Sequence, residues 1–237
     1  LYQRSPFRLF WIIVFGSALS ACAAQLPEQA PRMAIAGDGY VPAGYREFCT
    51  RQTAACGARW SQDSRVHLDQ STWSVLVAVN NEINRTIMPA TDQQIFGTAE
   101  FWTVPSGFGD CEDYAIAKQL ALQARGIPDA ALSIATALEP GQGMHAVLMV
   151  RTDRGDFVLD NKTSRILSWN RTPYQWISRQ SARHAMIWER PAAGDPSFAR
   201  ASGAFAQMQT GNPNVRGASD GAATSHTGPR SLASRTP

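Results

Sequence analysis

Apolar residues repeat at helical spacing in two stretches of the chain and gather in short strand-like blocks in its second half. The first helical stretch places Trp73, Leu76, Val77, Asn80, Ile83 and Ile87 on one buried stripe, with Ser71 or Thr72 as the expected N-cap and Pro89 as the stop. Asn80 and Asn84 lie four apart at the edge of that stripe. Two readings are open for them: they tie the helix to a loop, or they are solvated. The second stretch follows Asp110, where Ile116, Leu120 and Ala124 recur every four residues beside Ala117 and Ala121. Asp110 is the expected N-cap, its side chain accepting a hydrogen bond from a free backbone N–H. Gly126 suits the left-handed residue that ends a helix, and Pro128 blocks a restart. Beyond it, Leu132 to Leu138, His145 to Val150 and Phe157 to Asp160 read as strands. Turns at 141–144 and 153–155 separate them, and a last strand is expected around Ala185 to Trp188.

The second helix begins inside Gly109-Asp110-Cys111-Glu112-Asp113-Tyr114, and this is where chemistry first enters. A cysteine in a first helical turn meets the free N–H groups and the positive end of the dipole, both of which favour the nucleophilic thiolate. The flanking carboxylates act in the opposite direction, so a cation or an imidazolium has to offset them. The alternative is a small buried residue at a helix start. His145 opens one arm of the predicted hairpin and Asp160 closes the other, so imidazole and carboxylate fall near one another. In a catalytic reading His145 deprotonates Cys111 and Asp160 orients the ring. Otherwise His145 is a strand-edge histidine and Asp160-Asn161 a turn. His184 is the rival base, and its place before the last strand argues for a structural role. Trp102 precedes the cysteine closely enough to offer its indole N–H to an oxyanion, although a core tryptophan fits equally.

Composition narrows the field. A net charge of +3, carried mostly by scattered arginines, gives no basic patch for nucleic acid. Cys22, Cys49, Cys56 and Cys111 do not form two close pairs, and the four histidines are far apart, which argues against a structural zinc. The N-terminal residues 1–24 read as a secretory signal: Arg4 and Arg8, then the apolar run Leu9 to Phe15, then small residues. Leu19-Ser20-Ala21-Cys22 resembles a bacterial lipobox, which would place a lipid anchor on Cys22. Ordinary signal-peptidase cleavage nearby is the alternative. Either route exports the protein to an oxidising compartment, where Cys49 and Cys56 are expected to form a disulfide and leave Cys111 as the free thiol. Residues 31–190 form the expected domain. Residues 191–237, rich in Ala, Ser, Gly, Pro and Thr and without Trp, Tyr or Ile, read as a disordered tail.

Taken in order, GDCEDYAIAK at 109–118, Gly126-Ile127-Pro128, His145-Ala146-Val147-Leu148 and Val158-Leu159-Asp160-Asn161 resemble the bacterial transglutaminase-like cysteine proteinases, of the LapG-type periplasmic kind. The resemblance runs from about Tyr40 to Pro191 and takes in the Asn80/Asn84 helix and Phe101-Trp102. It implies an α+β fold with a papain-like, transglutaminase-like core, N-terminal helices packed on an antiparallel β-sheet. It implies a Cys-His-Asp triad on Cys111, His145 and Asp160, and calcium dependence through Asp110, Glu112 and Asp113. It further implies a protein substrate such as a large surface adhesin, hence a role in attachment and biofilm control, and restraint by an inner-membrane cyclic-di-GMP receptor. The lipobox and the long tail depart from that pattern. The expectation is therefore a calcium-dependent, exported, periplasmic or lipid-anchored cysteine endopeptidase. The alternatives are an acyltransferase on the same triad and a catalytically idle module that binds an envelope protein.

Overall fold

The first long helix is capped by Asp69, one turn before the strongest apolar position. The computed structural model describes residues 25–57, 59 and 64–192. The predicted signal segment with Cys22 and most of the predicted tail lie outside them. Asp69 accepts a hydrogen bond from Thr72 N (2.7 Å) and another from the Ser71 hydroxyl (2.8 Å), and these bonds hold its carboxyl at about 2. The expected cap at Ser71 or Thr72 is therefore corrected: both residues donate to the cap, because a carboxylate accepts from two neighbours at once.

In chain order the elements are β1 (Ile35–Asp38), α1 (Ala43–Arg51), α2 (Gln70–Thr86), β2 (Met88–Pro89), α3 (Asp92–Ile95), β3 (Phe108–Gly109) and α4 (Cys111–Gln123). The second half holds β4 (Leu132–Glu139), β5 (Gly143–Thr152), β6 (Gly155–Leu159), β7 (Leu167–Ser168), β8 (Gln175–Gln180) and β9 (Trp188–Pro191). Seven strands form one sheet in the order β1-β9-β8-β4-β5-β6-β7, and every neighbouring pair is antiparallel. The α+β architecture, helices against an antiparallel sheet, is the one expected. Short β2 and β3 form a separate parallel pair that brings the start of α4 beside the end of α2.

Both faces of the sheet are covered, which explains why its central strands are near-continuous apolar runs. Ile134, Leu148, Val150 and Leu159 meet Trp73 and Leu76 of α2 and Ile116 and Leu122 of α4. Ala135, Val147, Met149 and Val158 point the other way, onto Met33, Trp176 and Ile177. α4 stops where predicted: Gly126 adopts φ +84°, with Gly126 N bonded to Gln123 O (2.9 Å) and Ile127 N to Leu122 O (3.1 Å).

The domain boundaries shift slightly outward. Leu26 and Ala30 pack against the core, Pro191 pairs with Ile35 in the sheet, and Ala192 N donates to Ala34 O (2.8 Å). Backbone pairing of β1 with β9 thus carries the fold past 190, which composition could not reveal. Cys49 and Cys56 are joined, with Cα atoms 5.5 Å apart, and close the loop after α1. Both are buried in the core. Replacing both by alanine is expected to cost about 2–3 kcal/mol through the freed loop alone. Urea denaturation monitored by tryptophan fluorescence would read this as a lower midpoint. Among the described residues no helix is long and apolar enough to cross a membrane.

Candidate active site

Cys111 is the first residue of α4, free and half-buried. Asp110 occupies the N-cap position, yet its side chain makes no capping bond. The carboxylate instead accepts from Asp92 N (3.3 Å), an otherwise free N–H at the start of α3. The sequence expectation that Asp110 caps its own helix is corrected accordingly. The thiol donates to Glu112 Oε2 (3.2 Å) and accepts from Ala146 N (3.4 Å). Burial pushes the Cys111 thiol well above its ordinary value and the Glu112 carboxylate adds to this, while the Ala146 N–H opposes both. Glu112 is itself raised, by burial and then by the charge of Asp110.

Ala146 follows His145 on β5, so the strand that touches the thiol also carries the imidazole. His145 Nε2 lies 3.0 Å from Asp160 Oδ1. The register settles how they meet: Leu148 pairs with Leu159, which places Asp160 opposite residue 147, and the imidazole reaches it diagonally. Both side chains are buried. With Nε2 on Asp160, Nδ1 is the ring nitrogen that does not face the carboxylate. Asp160 also accepts from Lys162 N (3.0 Å) and from the Tyr174 hydroxyl. Burial raises the Asp160 carboxyl, but the bonds from His145 and Tyr174 more than offset it and hold the group at about 2.

The loop bearing Asp160 is fixed from α2. Asn84 Nδ2 donates to Asp160 O (2.9 Å) and Thr163 O (3.1 Å), and Asn80 Nδ2 donates to Thr163 O (3.1 Å). Of the two readings for these asparagines, the loop-tying one is correct. Lys118 lies further along α4 and is fully buried; burial lowers it to about 7 and the Asp160 charge acts against that. Cys111 and His145 line one cleft of about 280 Å³, together with Pro42, Glu100, Trp102 and Met144. His184 is not part of it; its Nδ1 accepts from Met186 N (3.0 Å) and closes the turn before β9. Trp102 lines the cleft, but its indole N–H donates to Glu100 Oε1 (2.8 Å). The single donor expected to face an oxyanion thus already has an acceptor in this structure.

A second cluster adjoins the thiol. Asp92, Asp110 and Asp113 each offer a ligand oxygen, all within 4.8 Å of one another. The Phe101 N–H donates to Asp92 Oδ2, and Thr103 N donates to Asp113 Oδ1 (2.8 Å). Arg51 of α1 braces this loop, bonding Trp102 O (2.8 Å) with its guanidinium 4.1 Å from the Phe101 ring centroid. Each carboxylate is thus held through one oxygen, and the other is buried without a partner: Asp92 Oδ1, Asp110 Oδ1 and Asp113 Oδ2. Burial, then the charges of Asp110 and Asp92, push Asp113 up to about 7; Asp92 is raised for the same first reason. Three crowded carboxylates with unpartnered oxygens suit a hard divalent cation. Gly109 makes the approach possible, because a Cβ there would lie 2.8 Å from Asp113 Oδ2. Two sequence expectations change here. Glu112 bonds the thiol and adjoins Asp110 and Asp92 without being one of the three, while Asp92 joins the cluster although no local motif marks it.

Residues 35–194 match the sequence profile of the bacterial transglutaminase-like cysteine proteinases (BTLCP). The chain belongs to this family. The proteinase is also similar to solved structures of Legionella pneumophila LapG. The calcium-bound form is 22% identical, with a TM-score of 0.44, covering 72% of this chain and 93% of that one. The EGTA-treated form is 22% identical, with a TM-score of 0.42, covering 71% and 91%. No curated protein sequence matches the proteinase.

Proposed function

We propose that this cysteine proteinase is a calcium-dependent endopeptidase with Cys111 as nucleophile, His145 as proton shuttle and Asp160 as orienter. The observation that carries the reading is the shared cleft, in which the strand whose N–H touches the thiol also presents an imidazole bonded to a buried carboxylate. Cys111 gives its proton to His145 and attacks the peptide carbonyl carbon. Backbone N–H groups in the first turn of α4 stabilise the oxyanion. The intermediate collapses, His145 returns the proton to the departing amine, and a thioester remains on Cys111. Water, losing a proton to His145, then attacks the thioester; the acid leaves and the thiol is regenerated.

Asp92, Asp110 and Asp113 would hold the calcium ion. When bound, it offsets the negative charge beside the thiol. The substrate in this reading is an exported or surface protein such as a large adhesin, processed in the periplasm, with an inner-membrane cyclic-di-GMP receptor as the restraining partner. A lipid anchor on Cys22 would confine the enzyme to the membrane surface. Mass spectrometry of an envelope-protein extract incubated with the purified proteinase and calcium tests the reaction. New peptide termini that Cys111→Ser fails to generate are expected. Only amine adducts in the presence of added amine, without cleavage, would replace the endopeptidase by an acyltransferase. Neither product, with undiminished partner binding by Cys111→Ser, would mark an idle binding module.

A further inference from the structure

The hydroxyl of Tyr174 and the ring of Tyr174 act on two different members of the His145–Asp160 pair. The hydroxyl donates to Asp160 Oδ2, while Oδ1 of the same carboxylate receives His145 Nε2 and Lys162 N. The ring stands 5.2 Å from the His145 ring, tilted by 56°. Trp176 buttresses it from behind, edge-on at 5.9 Å, and is itself tied to Trp169 O by its indole N–H (3.2 Å). Tyr174 precedes β8, so it comes from a part of the chain remote from Cys111 and adjacent to neither triad partner in sequence.

We propose that Tyr174 is a positioning residue that sets the plane of the Asp160 carboxylate and, through it, the orientation of His145. The inference rests on the Cys111–His145–Asp160 reading above. A carboxylate held at one oxygen alone can rotate and swing its bond to the imidazole off axis. With donors on both oxygens it has one orientation, and His145 Nδ1 stays directed toward the nucleophile's side of the cleft. Burial, and then Asp160 as acceptor, raise Tyr174, so it remains a neutral donor at physiological pH. The charged or titratable groups around the pair are Cys111, Glu112 and Lys118 on α4, Glu139 on β4 and Lys162 in the following loop. Tyr174 is not among the residues lining the cleft, so its effect falls on reactivity and not on substrate affinity.

The test is Tyr174→Phe, which removes the hydroxyl and keeps the ring, on the full-length protein with calcium present. At pH 7, alkylation of Cys111 by iodoacetamide is expected to slow about tenfold, as expected for a lost hydrogen bond to a charged group. The low-field ring N–H proton of His145, read by NMR on histidine-labelled protein, is expected to broaden or move upfield. The same change in an Asp160→Asn background is expected to slow alkylation by less than twofold, because Tyr174 acts through that carboxylate. Unchanged alkylation and an unchanged His145 proton in folded Tyr174→Phe would overturn the proposal and leave the catalytic reading standing. Full additivity with Asp160→Asn would overturn it as well. A His145→Ala protein alkylated as fast as wild type would overturn the catalytic reading and this proposal together.

Discussion

Asp160→Asn is expected to lower peptide cleavage about a thousandfold while leaving the protein folded. Asparagine has nearly the same shape, and its oxygen can keep the positions taken by His145 Nε2 and Lys162 N. Its NH2 then faces the Tyr174 hydroxyl, which can turn and accept. The geometry survives, but the charge that stabilises the imidazolium during proton transfer is gone. A kcat loss at little-changed KM is the expected pattern.

Stability carries a second signature of the same group. The folded Asp160 carboxyl is held at about 2, below the ~3.9 of an unfolded aspartate. A depressed carboxylate contributes stability that is fully present above the unfolded value and is lost as pH falls through the folded one. For Asp160 this amounts to about 2–3 kcal/mol at neutral pH, lost progressively between roughly pH 5 and pH 1. Urea midpoints taken across that range should fall more steeply in the wild type than in Asp160→Asn. Parallel curves would show that Asp160 is not held as an ion in the fold.

Calcium is expected to raise the melting temperature by roughly 5–10 °C at a hundredfold excess over its dissociation constant, and chelation by EGTA to abolish cleavage. The cause is the trio of crowded carboxylates, each with one oxygen fixed by a backbone N–H and the other buried without a partner. Without a cation they repel one another in a region of low polarity, and binding removes that repulsion. Asp92→Asn is the most informative variant, since Asp92 lies far from the nucleophile in sequence and touches the thiol through no bond. It is expected to remove most of the calcium-dependent shift and to weaken calcium binding at least tenfold by isothermal titration. Glu112→Gln, by contrast, is expected to keep most of the shift, because Glu112 is not one of the three clustered carboxylates and its amide oxygen can still accept from the thiol. Should Glu112→Gln lose the shift and Asp92→Asn retain it, the ion would be bound elsewhere.

The residues most legible in the chain were those whose role follows from near neighbours. Gly126 and Pro128 end α4 by backbone conformation alone, and the apolar repeat after Asp110 places Cys111 at a helix start. His145 and Asp160 could be placed at the ends of paired strands because a short turn forces those strands together. Cys49 and Cys56 are close in sequence and meet across one short loop. Tertiary packing decided the rest. Asp92 reaches Asp110 and Asp113 only because β2 pairs with β3 and the Phe101–Thr103 loop bonds to two of the three carboxylates. Tyr174 meets Asp160 across strands that are not consecutive. Local pattern sets backbone conformation, helix ends and strand faces. Which acceptor a given N–H finds, and which carboxylates must share a space, depends on groups distant in sequence that only the packed chain brings within a few ångströms.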